Sequence, residues 1–96
     1  MNSKELTMIE LGGNINLENF EDIEKGQLIV IKKVVGNYTK KISENSKDFK
    51  KITVSLAKDS KYKIEVNLEV EESKKSEAEN PNLFFALDQA LAKFLE

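Results

Sequence analysis

The stretch KITVSLAKDSKYKIEVNLEVE, residues 51–71, decides the fold of this protein. In both of its halves apolar and polar side chains alternate with a period of two, which is the pattern of a β-strand with one buried and one solvated face. Asp59-Ser60 separates the halves as a turn, so the stretch predicts an antiparallel hairpin. The apolar face of this hairpin carries Ile52, Val54, Leu56, Tyr62, Ile64, Val66, Leu68 and Val70. Such a sheet is covered on one side only.

Two helical segments are available to cover that side. Residues 25–44 predict a long helix, because six apolar side chains fall within an arc of about 120° at 100° per residue. Residues 82–96 (NLFFALDQALAKFLE) follow Asn80-Pro81, which we expect to cap and open a second helix. The apolar faces are Leu28, Ile31, Val34, Val35, Tyr38 and Ile42 in the first helix, and Leu83, Leu87, Leu91 and Phe94 in the second.

The beginning of the chain gives weaker signals. Residues 7–11 (TMIEL) predict a short first strand, and Gly12-Gly13-Asn14 predicts the turn that ends it. Residues 15–24 predict a polar connection whose Leu17, Phe20 and Ile23 pack against the core, with Asn19 or Asp22 as the cap of the long helix. The predicted fold is a two-layer α/β sandwich in one domain of 96 residues, whose first two strands are parallel through a right-handed crossover.

The composition excludes several classes of function. The chain has no histidine and no cysteine, and therefore lacks the commonest general base, the commonest metal ligand and any thiolate. No nucleophile–base arrangement is visible, so we predict a protein that is not an enzyme and needs no cofactor or metal. The N-terminus lacks the apolar run of a signal peptide, and apolar runs such as residues 28–31 are too short to span a membrane. We expect a cytoplasmic protein with no small-molecule substrate.

The net charge of −2 conceals blocks of opposite sign. Residues 25–51 carry eight lysines against Glu44 and Asp48, a net charge of +6. On the predicted long helix, the arc opposite the apolar face carries Lys33, Gly36, Asn37 and Lys40, flanked by Lys32, Lys41 and Glu44. Every basic residue is a lysine, which favours attraction to phosphates over bidentate reading of bases. This arc is either an RNA contact surface or an ordinary solvated helix face.

Three local segments resemble the ribosome hibernation-promoting factor family, the short ribosome-associated inhibitors. They are MIELGGN (residues 8–14), DFKKITVSLAKDSKYKIEVNLEVE (residues 48–71) and SEAENPNLFFALDQALAKFLE (residues 76–96). The resemblance implies a β-α-β-β-β-α order, with a four-stranded sheet, both helices on one face, and a fourth strand at residues 74–79. It also implies binding to RNA of the small ribosomal subunit through basic helix surfaces, which blocks messenger and transfer RNA. Lys33, Lys40 and Lys41 match that role, and Lys32 and Lys47 are expected to assist.

Phe85 raises an alternative function. By the 100° rule it lies on the polar side of the second helix, near Asp88 and Gln89. An exposed Phe85 would stack on a base or contact a protein, whereas a rotated apolar stripe or a second subunit would bury it. We expect burial, within the fold or by a partner. The alternative to RNA binding is therefore a protein-interaction module or a homodimer with no RNA role.

Overall fold

The computed structural model describes residues 8–11 and 14–95 of the chain. Five strands, two helices and a final 3-10 turn follow one another along it. They are β1 (Met8–Leu11), β2 (Ile15–Glu18), α1 (Lys25–Glu44), β3 (Lys51–Lys58), β4 (Tyr62–Glu69), β5 (Ser73–Asn80), α2 (Leu83–Ala92) and the 3-10 turn (Lys93–Leu95).

The strands form one mixed sheet in the order β1-β2-β3-β4-β5. β2 and β3 are parallel and are joined by α1, and the other neighbouring pairs are antiparallel. From β2 onward the order β-α-β-β-β-α is confirmed, as are its four adjacent strands and the two helices that pack on them. β5 confirms the strand expected at residues 74–79, although its side chains are almost all polar, because it pairs with β4 along its whole length.

The first strand differs from the prediction. The parallel partner of β3 is β2, which lies in the segment predicted to be a connection, and β1 is an additional edge strand antiparallel to β2. Leu17 and Phe20 pack in the core as expected, and both are fully buried. β2 has only four residues (INLE), so its alternation of apolar and polar side chains is too short to distinguish a strand from a connection in the sequence. The turn predicted at Gly12-Gly13 lies outside the described residues, as does Thr7.

A single core fills the space between the helices and one face of the sheet. The predicted alternation in β3 and β4 is confirmed, since Ile52, Val54, Leu56, Ile64, Val66 and Leu68 are all buried. α1 contributes Ile31, Val35 and Ile42, and α2 contributes Leu83, Ala86, Leu87, Ala90 and Leu91. No helix among the described residues combines the length and the apolar character needed to cross a lipid bilayer.

The helix bounds agree with the prediction more closely than the caps do. α1 spans residues 25–44 as expected, but it begins after Glu24 without a side-chain cap, so capping by Asn19 or Asp22 is wrong. In α2 the cap is Asn82, whose Oδ1 accepts hydrogen bonds from the N–H groups of Phe84 and Phe85 at 2.9 and 3.1 Å. Capping by Asn80 is therefore wrong, because Asn80 ends β5 and accepts a bond from the N–H of Asn82 instead.

Candidate nucleic-acid interface

The solvent side of α1 carries the core of the candidate interface. Lys33, Asn37 and Lys40 are exposed, on the side of the helix opposite its buried residues. Lys33 and Lys40 lie seven residues apart, which is two turns and about 10 Å along the axis. Two point charges on long flexible stems, two turns apart, suit contact with a phosphate backbone rather than recognition of individual bases.

The structure brings only some of the predicted lysines together. Lys41 is exposed on the flank of the same face, about 100° from Lys40. Lys32 is half-buried between the exposed and the buried sides of α1. Lys47 is exposed in the α1–β3 loop, where it lines a groove with Glu71 and Glu72. Lys33, Lys40 and Lys41 therefore form one surface, which we call the lysine face, and Lys47 lies beyond it beside acidic side chains.

The lysine face keeps its positive charge available for a partner. Within residues 8–11 and 14–95 the ion pairs are Lys63–Glu77 at 3.6 Å and Lys75–Glu65 at 3.7 Å. Both lie on the open face of the sheet, away from α1, and the lysines of α1 take part in neither. A face of unpaired lysines attracts a polyanion more strongly than one in which acids are interspersed.

Gly36 lies between Lys33 and Lys40 along the helix. A Cβ atom built there would have no heavy atom within 4 Å, so nothing inside the protein requires a glycine at this position. The residue lowers the helix propensity of α1 and leaves a shallow place between two lysines, where another molecule can approach the backbone closely.

Phe85 is exposed, with 62% of its surface accessible. Burial within the fold is therefore wrong for this side chain, and the described chain itself supplies no cover. Two apolar residues of α1 are also exposed, Ile29 at 56% and Val30 at 46%, and these were not among the predicted site residues. Their positions on the helix would have revealed them, since the 100° rule puts both of them well away from Ile31 and Val35.

A hydrogen bond joins the two helices on the side of α1 that faces α2. The Tyr38 hydroxyl donates to Oδ1 of Asp88, and this bond, together with partial burial and the negative charge of Asp88, raises the pKa of Tyr38 to about 12. β2 and β5 run in the same direction, because β2 is parallel to β3 and two antiparallel pairings separate β3 from β5. Each of these strands is followed by a helix that returns antiparallel to it, so α1 and α2 also run in the same direction. Phe85, three residues before Asp88, therefore lies at the level of α1 residues between Lys33 and Tyr38.

The open face of the sheet differs from the sheets that stack RNA bases. In the part of the chain that the structure describes it carries no aromatic side chain, whereas sheets that stack RNA bases need them. The same residues hold no group of three or more His, Cys, Asp or Glu placed to bind a metal ion.

Comparison with known protein families gives no match, and no curated protein matches the chain either. The resemblance to the hibernation-promoting factors therefore stays a prediction, and the argument for function depends on the geometry of α1 and α2.

Proposed function

We propose that this protein is a non-catalytic RNA-binding protein that contacts the small ribosomal subunit, as the resemblance to hibernation factors implies. The observation that supports the proposal is the lysine face, where Lys33, Lys40 and Lys41 are exposed and take part in no ion pair of the described residues. In this role the lysines contact phosphates, Phe85 stacks on a base or a ribosomal protein at the rim, and the protein acts in the cytoplasm.

The test is cosedimentation with small ribosomal subunits across a salt series. We expect affinity to fall with salt at a log–log slope of about −0.7 to −0.9 per phosphate contacted. Replacing Lys33 and Lys40 together by Glu should weaken binding by more than about tenfold. Replacing both by Gln should weaken binding less, and the log–log salt slope should be less steep by the contribution of about two phosphate contacts. Thermal stability should change little, because exposed lysines contribute little to folding.

A matched control is Lys58→Glu with Lys61→Glu, which makes the same change in net charge at the β3–β4 turn. If this control weakens binding as much as the change on α1, the interaction depends on net charge and not on the lysine face. If the α1 variant sediments with the subunits like the parent at low salt, the lysine face is an ordinary solvated surface and the proposal fails.

Phe85 favours a second candidate function, a protein-interaction module without an RNA role. A phenylalanine that is 62% exposed next to a helix cap contributes nothing to the core and is well suited to a protein contact. A stable assembly that ignores RNA and that Phe85→Ala dissociates would favour this function. Ribosome binding that survives Phe85→Ala but not the lysine substitutions would exclude it.

A further inference from the structure

β5 lies at one edge of the sheet and, among the residues that the structure describes, is paired only with β4. It is eight residues long, twice the length of β1 at the opposite edge. Long edge strands present a row of unpaired N–H and C=O groups to which another strand adds readily. The side chains of β5 that face α2, Ser76 and Ala78, are small and half-buried.

The direction of these backbone groups follows from the β3–β4 hairpin. The N–H of Asp59 donates to the carbonyl of Lys61 at 3.1 Å, which makes these two odd-numbered residues a hydrogen-bonded pair. Hydrogen-bonded pairs recur at every second residue, so the backbone N–H and C=O groups of odd-numbered residues in β4 point to β3, and those of even-numbered residues point to β5. In the β4–β5 register even-numbered residues lie opposite even-numbered ones. The N–H and C=O groups of the odd-numbered residues of β5 therefore point away from β4, toward the open edge of the sheet. The position of Lys93 agrees, since its Nζ donates to the carbonyl of Glu77 from outside the strand pair.

The charges of β5 are self-complementary. Lys74 and Lys75 occupy its first half, and Glu77 and Glu79 its second half. In an antiparallel pair of two β5 strands, the odd-numbered residues of one copy must lie opposite odd-numbered residues of the other, because these carry the free N–H and C=O groups. Near the middle of the strand, the twofold axis can then pass through Lys75, Ser76 or Glu77. Centring on Lys75 sets that lysine against itself, and centring on Glu77 does the same for the glutamate. Only the register centred on Ser76 places Lys75 opposite Glu77 of the second copy, twice by symmetry.

This register also extends the ion pairs already present on the open face. The Nζ atom of Lys75 lies 3.7 Å from Oε2 of Glu65, and the Nζ atom of Lys63 lies 3.6 Å from Oε2 of Glu77. Across the twofold axis the row continues from Lys75 to the glutamate of the second copy, so charges of alternating sign follow one another over both sheets. Opposite charges on facing strands stabilise a pair, and like charges destabilise it.

We propose that β5 pairs antiparallel with β5 of a second copy about a twofold axis at Ser76, which forms one continuous ten-stranded sheet. α2 packs on both β4 and β5, so a strand spacing of about 4.8 Å places the two α2 helices about 10 Å apart, which is a normal packing distance. Lys93 must leave the carbonyl of Glu77, which an exposed, flexible side chain does at little cost. The proposal does not depend on RNA binding, and it places both lysine faces on the same side of the dimer.

Sedimentation equilibrium of the full chain from micromolar to millimolar concentration tests the assembly. We expect a monomer–dimer equilibrium whose dissociation constant rises at least about tenfold in Lys75→Glu, because two attractive pairs become repulsive. Lys61→Glu makes the same charge change in the β3–β4 turn and should leave the constant unchanged. Melting of Lys75→Glu at low concentration checks that the single chain stays folded after the loss of the ion pair with Glu65.

Cysteine crosslinking tests the register, since the chain has no cysteine of its own. In the proposed pair the two copies of residue 76 face each other at a non-hydrogen-bonded position with Cα atoms about 4.5 Å apart, which suits a disulfide. Ser76→Cys should therefore oxidise to a covalent dimer much faster than Ala78→Cys, which lies on the same face opposite Lys74 of the second copy.

A chain that stays monomeric at all concentrations, or a dimer in which both cysteine variants crosslink equally fast, would overturn the proposal. A dimer dissociated by Phe85→Ala but not by Lys75→Glu would also do so. The substitutions at residues 61, 75, 76 and 78 touch neither the lysine face nor Phe85, so ribosome cosedimentation of these four variants shows separately whether the proposed function fails.

Discussion

The hydroxyl of Thr39 lies on the buried side of α1 and has no hydrogen-bond partner among the described residues. The residue is 5% exposed and lies one turn from the buried Val35 and Ile42 on α1. A buried polar atom without a partner destabilises the native state, because it gave up its bonds to water on folding. The position therefore gains from an apolar side chain of the same shape.

We expect Thr39→Val to raise the free energy of unfolding by about 1 kcal/mol, since valine keeps the volume and has a similar helix propensity. Urea denaturation at neutral pH measures the change. Thr39→Ser is the matched control, because it keeps the hydroxyl and removes a methyl group, and it should be less stable than the parent. A valine variant less stable than the parent would show that the hydroxyl has a partner after all.

The bond between Tyr38 and Asp88 makes part of the stability depend on pH at the alkaline end. The bond and its partly buried surroundings raise the pKa of Tyr38 to about 12, against about 10 in an unfolded chain. The folded state therefore holds this proton more tightly. The contribution is present in full below about pH 10 and is lost as the pH rises to about 12. It is small, because the pair is largely exposed to solvent.

Ultraviolet titration of the phenol checks this expectation. The chain has two tyrosines, so Tyr62→Phe leaves Tyr38 as the only one to ionise. Its midpoint should lie at about 12 and should fall toward 10 when Asp88→Ala is added, because both the hydrogen bond and the negative charge are removed. An unchanged midpoint in the double variant would mean that burial alone sets the pKa.

At the scale of the element, α2 depends on its cap. Asn82 satisfies two N–H groups of the first turn, those of Phe84 and Phe85. We expect Asn82→Ala to lower the free energy of unfolding by about 1 kcal/mol, and Asn82→Asp to keep the parent stability, because a carboxylate also caps and suits the helix dipole. Thermal melts compare the two variants. Unchanged stability in Asn82→Ala would show that the Asn82 cap contributes nothing, and equal losses in both variants would show that aspartate cannot replace it.

Gly36 weakens α1 without a steric reason inside the chain. Nothing lies within 4 Å of the position that a Cβ would occupy, and the residue is in the middle of a helix of 20 residues. Gly36→Ala should therefore raise the free energy of unfolding by about 1 kcal/mol, as measured by urea denaturation. Gly36→Pro is the opposite control and should break the helix. A loss of stability in the alanine variant would contradict the free space seen at this site.

At the scale of the whole molecule, β2 joins the first part of the chain to the core. Leu17 is fully buried, and β2 provides the parallel partner of β3. We expect Leu17→Ala to lower the free energy of unfolding by about 2–5 kcal/mol in a single cooperative transition. Ile29→Ala, at a residue that is 56% exposed, should change it by less than about 0.5 kcal/mol. A loss as small as that of Ile29→Ala in the Leu17→Ala variant would mean that β2 is not part of the core.

Much of this fold is determined by local patterns in the sequence. Alternation in residues 51–71 and the helical spacing in 25–44 have a direct physical cause, because each period sends the apolar side chains to one face. Both patterns are long enough to give the element type, its bounds and its buried side. The lysine face was predicted for the same reason, as it is the arc opposite the buried residues of α1.

Other features depend on contacts between distant residues, and the sequence alone does not determine them. β2 is a strand because β3 offers it a parallel partner, and β5 is a strand because β4 pairs with it. The alternation of β2 covers only four residues, and β5 is almost entirely polar. The cap of α2 moved from Asn80 to Asn82 because β5 extends through Asn80. Helical spacing puts Phe85 on the polar side of α2, but only the packing of α2 on β4, β5 and α1 shows that no described element covers it. In each case the deciding hydrogen bond or contact comes from a separate strand or helix, which a local pattern cannot contain.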